Sequence, residues 1–284
     1  MMAGAVINIV LDWLFIFPCH MGVFGAGLAT VIGQIVSGSL CFAYLRKLKT
    51  VHIRKDALKL TSSLAGKILS LGFPSLITQI MTATVQIIMN NLMTIHGAQS
   101  VYGSDIALSV YGMMMKVYQI AHAMVVGVSS ATQPINGYNF GAKHYDRVRK
   151  TYKTAAVIGI IISVIWFTVY QLLPGQIAGL FVSGNPLYRE CAIHCFRIYM
   201  LAFFLYGLHM TTASFFQGIG KPSRALIISL VRQAVLMIPL SLILSGRFGL
   251  DGALMAAPVT DTLVFILALT LAVIEFRQWK KKGF

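Results

Sequence analysis

Eight apolar runs, each long enough to cross a bilayer as a helix, constrain this chain more than any other feature. They cover about residues 2–17, 23–45, 68–95, 105–136, 154–173, 187–216, 224–245 and 251–276. A helix rising about 1.5 Å per residue needs about 17–25 apolar residues to span the hydrocarbon layer. Within lipid every backbone N–H and C=O must be bonded inside the protein, which leaves only helices and closed barrels. The runs are continuous and do not alternate in polarity as barrel strands do. The expected fold is therefore all-α, a polytopic membrane helical bundle of about eight transmembrane helices. A composition of 57% hydrophobic and 11% charged residues lies well outside the range of soluble domains.

The formal charge of +15 invites a nucleic-acid reading, but the placement of the basic residues opposes it. Eighteen of the 23 lysines and arginines fall in alternate connections between the runs. Arg46 to Lys67, Lys143 to Lys153, Lys221 with Arg224, and the C-terminal Arg277 with Lys280 to Lys282 hold them. The intervening connections carry only Arg189 and Arg247. That is the positive-inside asymmetry, and it puts the C-terminus and the 46–67 stretch in the cytoplasm. This stretch alternates basic with apolar residues and reads either as an amphipathic helix on the anionic leaflet or as a solvated linker.

A short pattern occurs twice. Gly22, Gly25, Ala26 and Ala29 reappear as Gly249, Gly252, Ala253 and Ala256, 227 residues later, each set opening an apolar run that ends in basic residues. Both look like the last helix of a lobe. Counting 227 residues back from Lys67 places the start of the first lobe about 160 residues before Met1. The expected organisation is the end of an N-terminal lobe at 1–45, a cytoplasmic basic linker at 46–67, and a C-terminal six-helix lobe at 68–284.

Ionisable groups at the bilayer centre cost about 2.5–3.5 kcal/mol each, so those present face a cavity or a partner. The candidates are Asp12, Lys116, His122, Arg197, His209, Arg232 and Asp261. In the third run Gln79, Ala83, Gln86, Asn90 and Thr94 recur at helical spacing as one polar stripe. In the fourth, Tyr111, Tyr118, His122, Ser129 and Gln133 form another, with Lys116 and Gln119 beside it. Such stripes line a cavity or hydrogen-bond neighbouring helices. The small residues Gly25, Ala29, Gly33 and Ser37 of the second run read as a packing face. The seven histidines form no HExxH, and GxSxG and phosphate-loop patterns are missing, so no catalytic constellation emerges. Cys191 and Cys195, one helical turn apart, read as ordinary packing rather than a bridge or metal site.

Gln133, Pro134, Asn136, Gly137, Gly141, Ala142 and Lys143, followed by Arg147 and Arg149, resemble the Q-P-x-x-G-x-x-x-G-A pattern of the multidrug and toxic compound extrusion transporters, bacterial branch. Its glycines would let the chain turn off a helix end. Asn8 to Asp12 resembles that family's helix five, Gly72 to Ser75 the start of helix seven, and Phe215 to Pro222 the end of helix ten. The eight runs would then be the last eight of twelve helices in two lobes. The resemblance implies no enzyme and no cofactor, but export of amphipathic, often cationic compounds in exchange for Na⁺ or H⁺. It also implies a multi-pass protein of the bacterial cytoplasmic membrane, monomeric when full length, with anionic lipids at its basic inner face.

Within that resemblance Asp12 is the first candidate for cation coupling and Asp261 the second. Gln79, Thr82, Gln86, Met89, Asn90, Met115, Lys116, Tyr118, Gln119 and His122 would line the substrate cavity. Trp13 stands where the family's helix five has a proline, and Thr82 where some members carry an acid. Two other readings stay open: an inactive remnant or membrane interaction partner, and a lipid-linked oligosaccharide flippase.

Overall fold

The computed structural model describes residues 2–46, 62–182 and 184–281. Regular structure among them is helical throughout. The chain divides into two compact units, Met1–Gly66 and Lys67–Phe284.

The first unit is a hairpin of α1 (Met2–Ile16) and α2 (Gly22–Arg46). His20 and Gly22, both at positive φ, turn the chain between them. The small residues of α2 face α1. A Cβ on Gly33 would lie 2.8 Å from the Gly4 carbonyl oxygen, and one on Gly25 2.8 Å from Phe15 Cβ. Ala29 is fully buried in the same face. Backbones approach this closely only where side chains are missing, which makes the stripe a packing surface.

Two 38-residue helices follow, α3 (Ser62–Gln99), which enters the second unit at Lys67, and α4 (Ser104–Gly141). α3 therefore begins inside the stretch expected to be linker, whose residues 47–61 lie outside the described ones. α5 (Tyr145–Leu172) follows, and then α6 (Pro174–Phe181), a short helix that no apolar run announces. The run at 187–216, expected as one helix, is broken into α7 (Pro186–Tyr199) and α8 (Tyr206–Gly218), bent by 44°. Between them the bonds Phe203 N–H to Met200 O and Leu205 N–H to Ala202 O tighten the backbone into a 3₁₀ turn. Neither glycine nor proline sits at that bend. Stacking of Phe203 on Tyr206 and its edge contact with Tyr170 hold it instead.

α9 (Pro222–Leu230) continues through a π-helical stretch, Val231–Met237, into α10 (Ile238–Lys281). Pro239 offers no N–H to the carbonyl of Val235, and the turn preceding it is the one that widens. α10 is interrupted at Gly249 (φ 58°, ψ −131°), a conformation open to glycine and strained for other residues. The last two apolar runs are thus two helical legs meeting at this corner.

By length and apolarity, Gly22–Leu45, Tyr145–Leu172 and Pro222–Trp279 suffice to cross a membrane, with the bent α7–α8 pair as a fourth span. α3 and α4 exceed the required length but carry the polar stripes. On α5, Val157, Ile158, Ile161, Val164 and Ile165 are all exposed, an apolar exterior suited to lipid and not to water. One buried cluster gathers Met89, Met93, Met114, Tyr170, Phe196, Phe203 and Tyr206, and a second gathers Tyr152, Phe215, Phe216 and Trp279.

The basic connections of the second unit meet at one end. Arg149 lies over the Phe276 ring, Phe140 packs on Trp279, and Glu275 receives Lys221 Nζ at 2.5 Å together with Arg224. Trp279 Nε1 donates to the same carboxylate at 2.6 Å. Glu275 is fully buried, and its three donors replace the water it gives up.

Candidate functional site

A cavity of about 370 Å³ opens inside the second unit, between α3, α4, the α7–α8 bend and the π-helical stretch. α3 supplies Gln79, Thr82 and Gln86, and α4 supplies Met115, Tyr118, Gln119 and His122, all among the residues expected to line it, though Thr82 and Met115 belong to neither stripe. The other expected residues lie elsewhere. Met89 is buried in the core, and Asn90 does not line the cavity, where its only described role is to accept from the Thr94 hydroxyl. Lys116 is exposed on another side of α4. Ser129 and Gln133, lower on the α4 stripe, bond α8 instead: Ser129 meets Thr211 at 3.3 Å, and Gln133 Nε2 donates to Gln217 Oε1 at 3.0 Å. One stripe thus does two jobs, cavity wall above and helix contact below.

The motif around Pro134 belongs to that helix contact. A Cβ on Gly137 would lie 3.1 Å from the Gly218 carbonyl oxygen, and one on Gly218 3.1 Å from that of Gln133. Gly137 therefore serves close packing of α4 on α8, inside the helix, and does not turn the chain. Gly141 ends α4 with nothing near it, and the left-handed residue of the turn is Lys143, at φ 59°.

The opposite wall joins two of the ionisable candidates, His209 and Arg232, to residues that neither stripe contained. Tyr199, Tyr206, His209, Arg232 and Gln233 form it, placed by the 3₁₀ bend and the π stretch. A π-helical turn shifts the register of the side chains that follow, which is why apolar periodicity alone does not place Arg232 and Gln233. Gln233 Nε2 donates to Thr82 Oγ1 at 3.2 Å and ties this wall to α3. His122 Nδ1 and the Tyr206 hydroxyl are 2.5 Å apart. Tyr118 stacks on His122 and meets Tyr206 edge-on.

Among the described residues, Arg232 is the one lining side chain that carries a fixed charge. Its Nε and Nη2 both lie 3.0 Å from Asp261 Oδ1, and its guanidinium carbon sits 5.7 Å from the Tyr206 ring centre. Asp261 is buried behind it and does not line the cavity. His209 does, with 1% of its surface exposed and no well-formed hydrogen bond at either ring nitrogen among the described residues. Of the two acids singled out for coupling, Asp261 is thus committed to an arginine. Asp12, in α1 of the first unit, has a buried Oδ1 without a partner among the described residues. The Cys191 and Cys195 sulfurs are 3.8 Å apart as free thiols, and no metal-binding cluster occurs among the described residues.

These features belong to a known family. A family model described as MatE matches residues 74–243, more than half of the chain. The multidrug export protein MepA of Staphylococcus haemolyticus is 25% identical over 270 residues, which is 95% of this chain and 58% of that protein. The MepA protein of Staphylococcus aureus strain MRSA252 is 23% identical over 273 residues, again 95% of this chain and 58% of its own length. The chain therefore spans a little over half the length of these relatives. The multidrug transporter DinF-BH, solved in complex with a ligand, superposes with a TM-score of 0.81 at 33% identity, covering 95% of this chain and 59% of that one. A transporter from Pyrococcus furiosus superposes at 0.84 with 23% identity, over 98% of this chain and 62% of its own. With an all-helical fold, a lipid-suited exterior and a polar cavity inside one lobe, this chain is a multi-pass integral membrane protein and belongs to the MatE family.

Proposed function

We propose that the chain works as, or as part of, a secondary transporter that exports amphipathic small molecules in exchange for Na⁺ or H⁺. The observation that carries this reading is the cavity of the second unit, which sets amides, hydroxyls and an arginine among tyrosine and methionine side chains. Such mixed walls hold flat apolar bodies while a few polar groups orient them. The MepA relatives are named for multidrug export and DinF-BH for multidrug transport, which supports the same class of activity here.

Coupling is assigned to Asp12. A carboxylate in an apolar helix with an unpartnered oxygen is poised to take up a proton or cation, whereas Asp261 is already neutralised by Arg232. The meeting of the basic connections at the Glu275 end of the second unit supports a cytoplasmic C-terminus beside anionic lipid.

The test uses proteoliposomes carrying the protein and a panel of amphipathic dyes of both charge signs. An imposed Na⁺ or pH gradient is expected to drive dye accumulation above that of protein-free vesicles. Accumulation equal to the protein-free control under both gradients, for every dye, overturns the proposal.

A further inference from the structure

We propose that the cavity of the second unit selects for hydrogen-bond acceptors, taking neutral or anionic aromatic ligands and rejecting cations. This rests on the reading of that cavity as the substrate site and adds the charge class to it.

The Arg232–Asp261 pair turns its positive end toward the cavity. The guanidinium lines the cavity while the carboxylate lies behind it, so the pair is neutral in sum but presents its positive end to a ligand. Because Nε and Nη2 converge on the single oxygen Oδ1, most of the five guanidinium N–H groups stay uncommitted to Asp261. Among the described residues, no aspartate or glutamate lines the cavity. A cation would enter a low-dielectric space against a fixed positive charge with no carboxylate to meet it.

Tyrosine faces can hold cations without a carboxylate. Here the Tyr206 face is already occupied by the Arg232 guanidinium itself. His209 adds an independent observation. The residue is 99% buried and lines the cavity with no well-formed hydrogen bond at either ring nitrogen among the described residues, the Leu205 carbonyl being a polar neighbour there, although an unsatisfied buried polar group costs about 1–3 kcal/mol. A neutral imidazole offers one donor and one acceptor, and a ligand that brings a carbonyl, phenol or acid satisfies it together with Arg232.

The test compares two dyes that share a xanthene core and differ in charge, anionic fluorescein and cationic rhodamine 6G. Fluorescence anisotropy is read on the full chain in phosphatidylcholine nanodiscs. Fluorescein is expected to bind at least about tenfold more tightly. In the double variant Arg232→Gln with Asp261→Asn, which leaves no buried charge unpaired, the preference is expected to fall to within about twofold. A short-chain phosphatidylglycerol that displaces fluorescein would keep the charge preference and make a lipid headgroup the source of the acid.

Rhodamine 6G binding as tightly as fluorescein overturns the charge class and leaves the substrate-site reading standing. A double variant that keeps the parental preference overturns the assignment to Arg232. Failure of both dyes to bind overturns the charge class and the substrate-site reading together.

Discussion

Arg232 sends two nitrogens, Nε and Nη2, to one oxygen of Asp261, each at 3.0 Å, across 29 residues of chain. The bond joins the π-helical stretch to the second leg of α10 and so closes the Gly249 corner from inside. Removing one partner of a buried pair leaves an uncompensated charge, at a cost of about 3–5 kcal/mol. Asp261→Asn and Arg232→Gln are each expected to lower the thermal unfolding temperature in detergent. The double variant should be more stable than either single, because no bare charge remains. Additive losses in the double would show that the pair contributes no coupling.

Glu275 is held by Lys221, Arg224 and Trp279 at the basic end of the same unit. Glu275→Gln deprives two cations of their counter-charge and is expected to cost about 3 kcal/mol. Faster tryptic cleavage after Arg224 would report it, since that side chain then leaves the carboxylate for water, while the Lys221–Pro222 bond resists trypsin in either form. In a variant keeping Trp279 as its only tryptophan, the indole emission should move toward the red. A tryptic pattern and emission unchanged from the parent would contradict the clamp.

α5 and α8 touch through bare backbone at Gly159 and Gly207. A Cβ on Gly207 would stand 2.1 Å from the Gly159 carbonyl oxygen, a distance no side-chain rotation can relieve. Gly207→Ala should destabilise by about 3 kcal/mol or more and lower the folded yield. Gly112→Ala, also in a helix but with no heavy atom within 4 Å of the added carbon, is the matched control. It should be neutral or stabilising by up to about 1 kcal/mol.

Among the described residues, Asp12 is the carboxylate with an unpartnered buried oxygen, and transport should depend on it. Asp12→Asn is expected to abolish gradient-driven dye accumulation in proteoliposomes while leaving dye binding to the second unit intact. An Asp12→Asn protein that accumulates dye at the parental rate removes this residue from coupling. Asp261→Asn, by contrast, should show its loss first in stability.

The eight apolar runs and their alternating basic connections are properties of local sequence, because hydrocarbon thickness and unbonded backbone leave a long apolar segment little choice but helix. The small-residue face of α2 was legible for the same reason, since helical spacing alone aligns Gly25, Ala29 and Gly33. Half of the cavity, from Gln79 to His122, could be read from polar stripes on two uninterrupted helices. The rest depended on departures from regular helix that leave no periodic trace. The 3₁₀ bend at Phe203, which has neither glycine nor proline, turned Tyr206 and His209 inward, and the π stretch brought in Arg232 and Gln233. Lys116 and Asn90 fitted a polar pattern yet lie outside the cavity, because spacing says which residues share a face and not where that face ends. Which charge meets which was decided by tertiary structure alone. Asp261 faces Arg232 and Glu275 faces Lys221 and Arg224 only once the Gly249 corner folds the last helix back, since an ion pair needs proximity in space and the chain between its members carries no record of it.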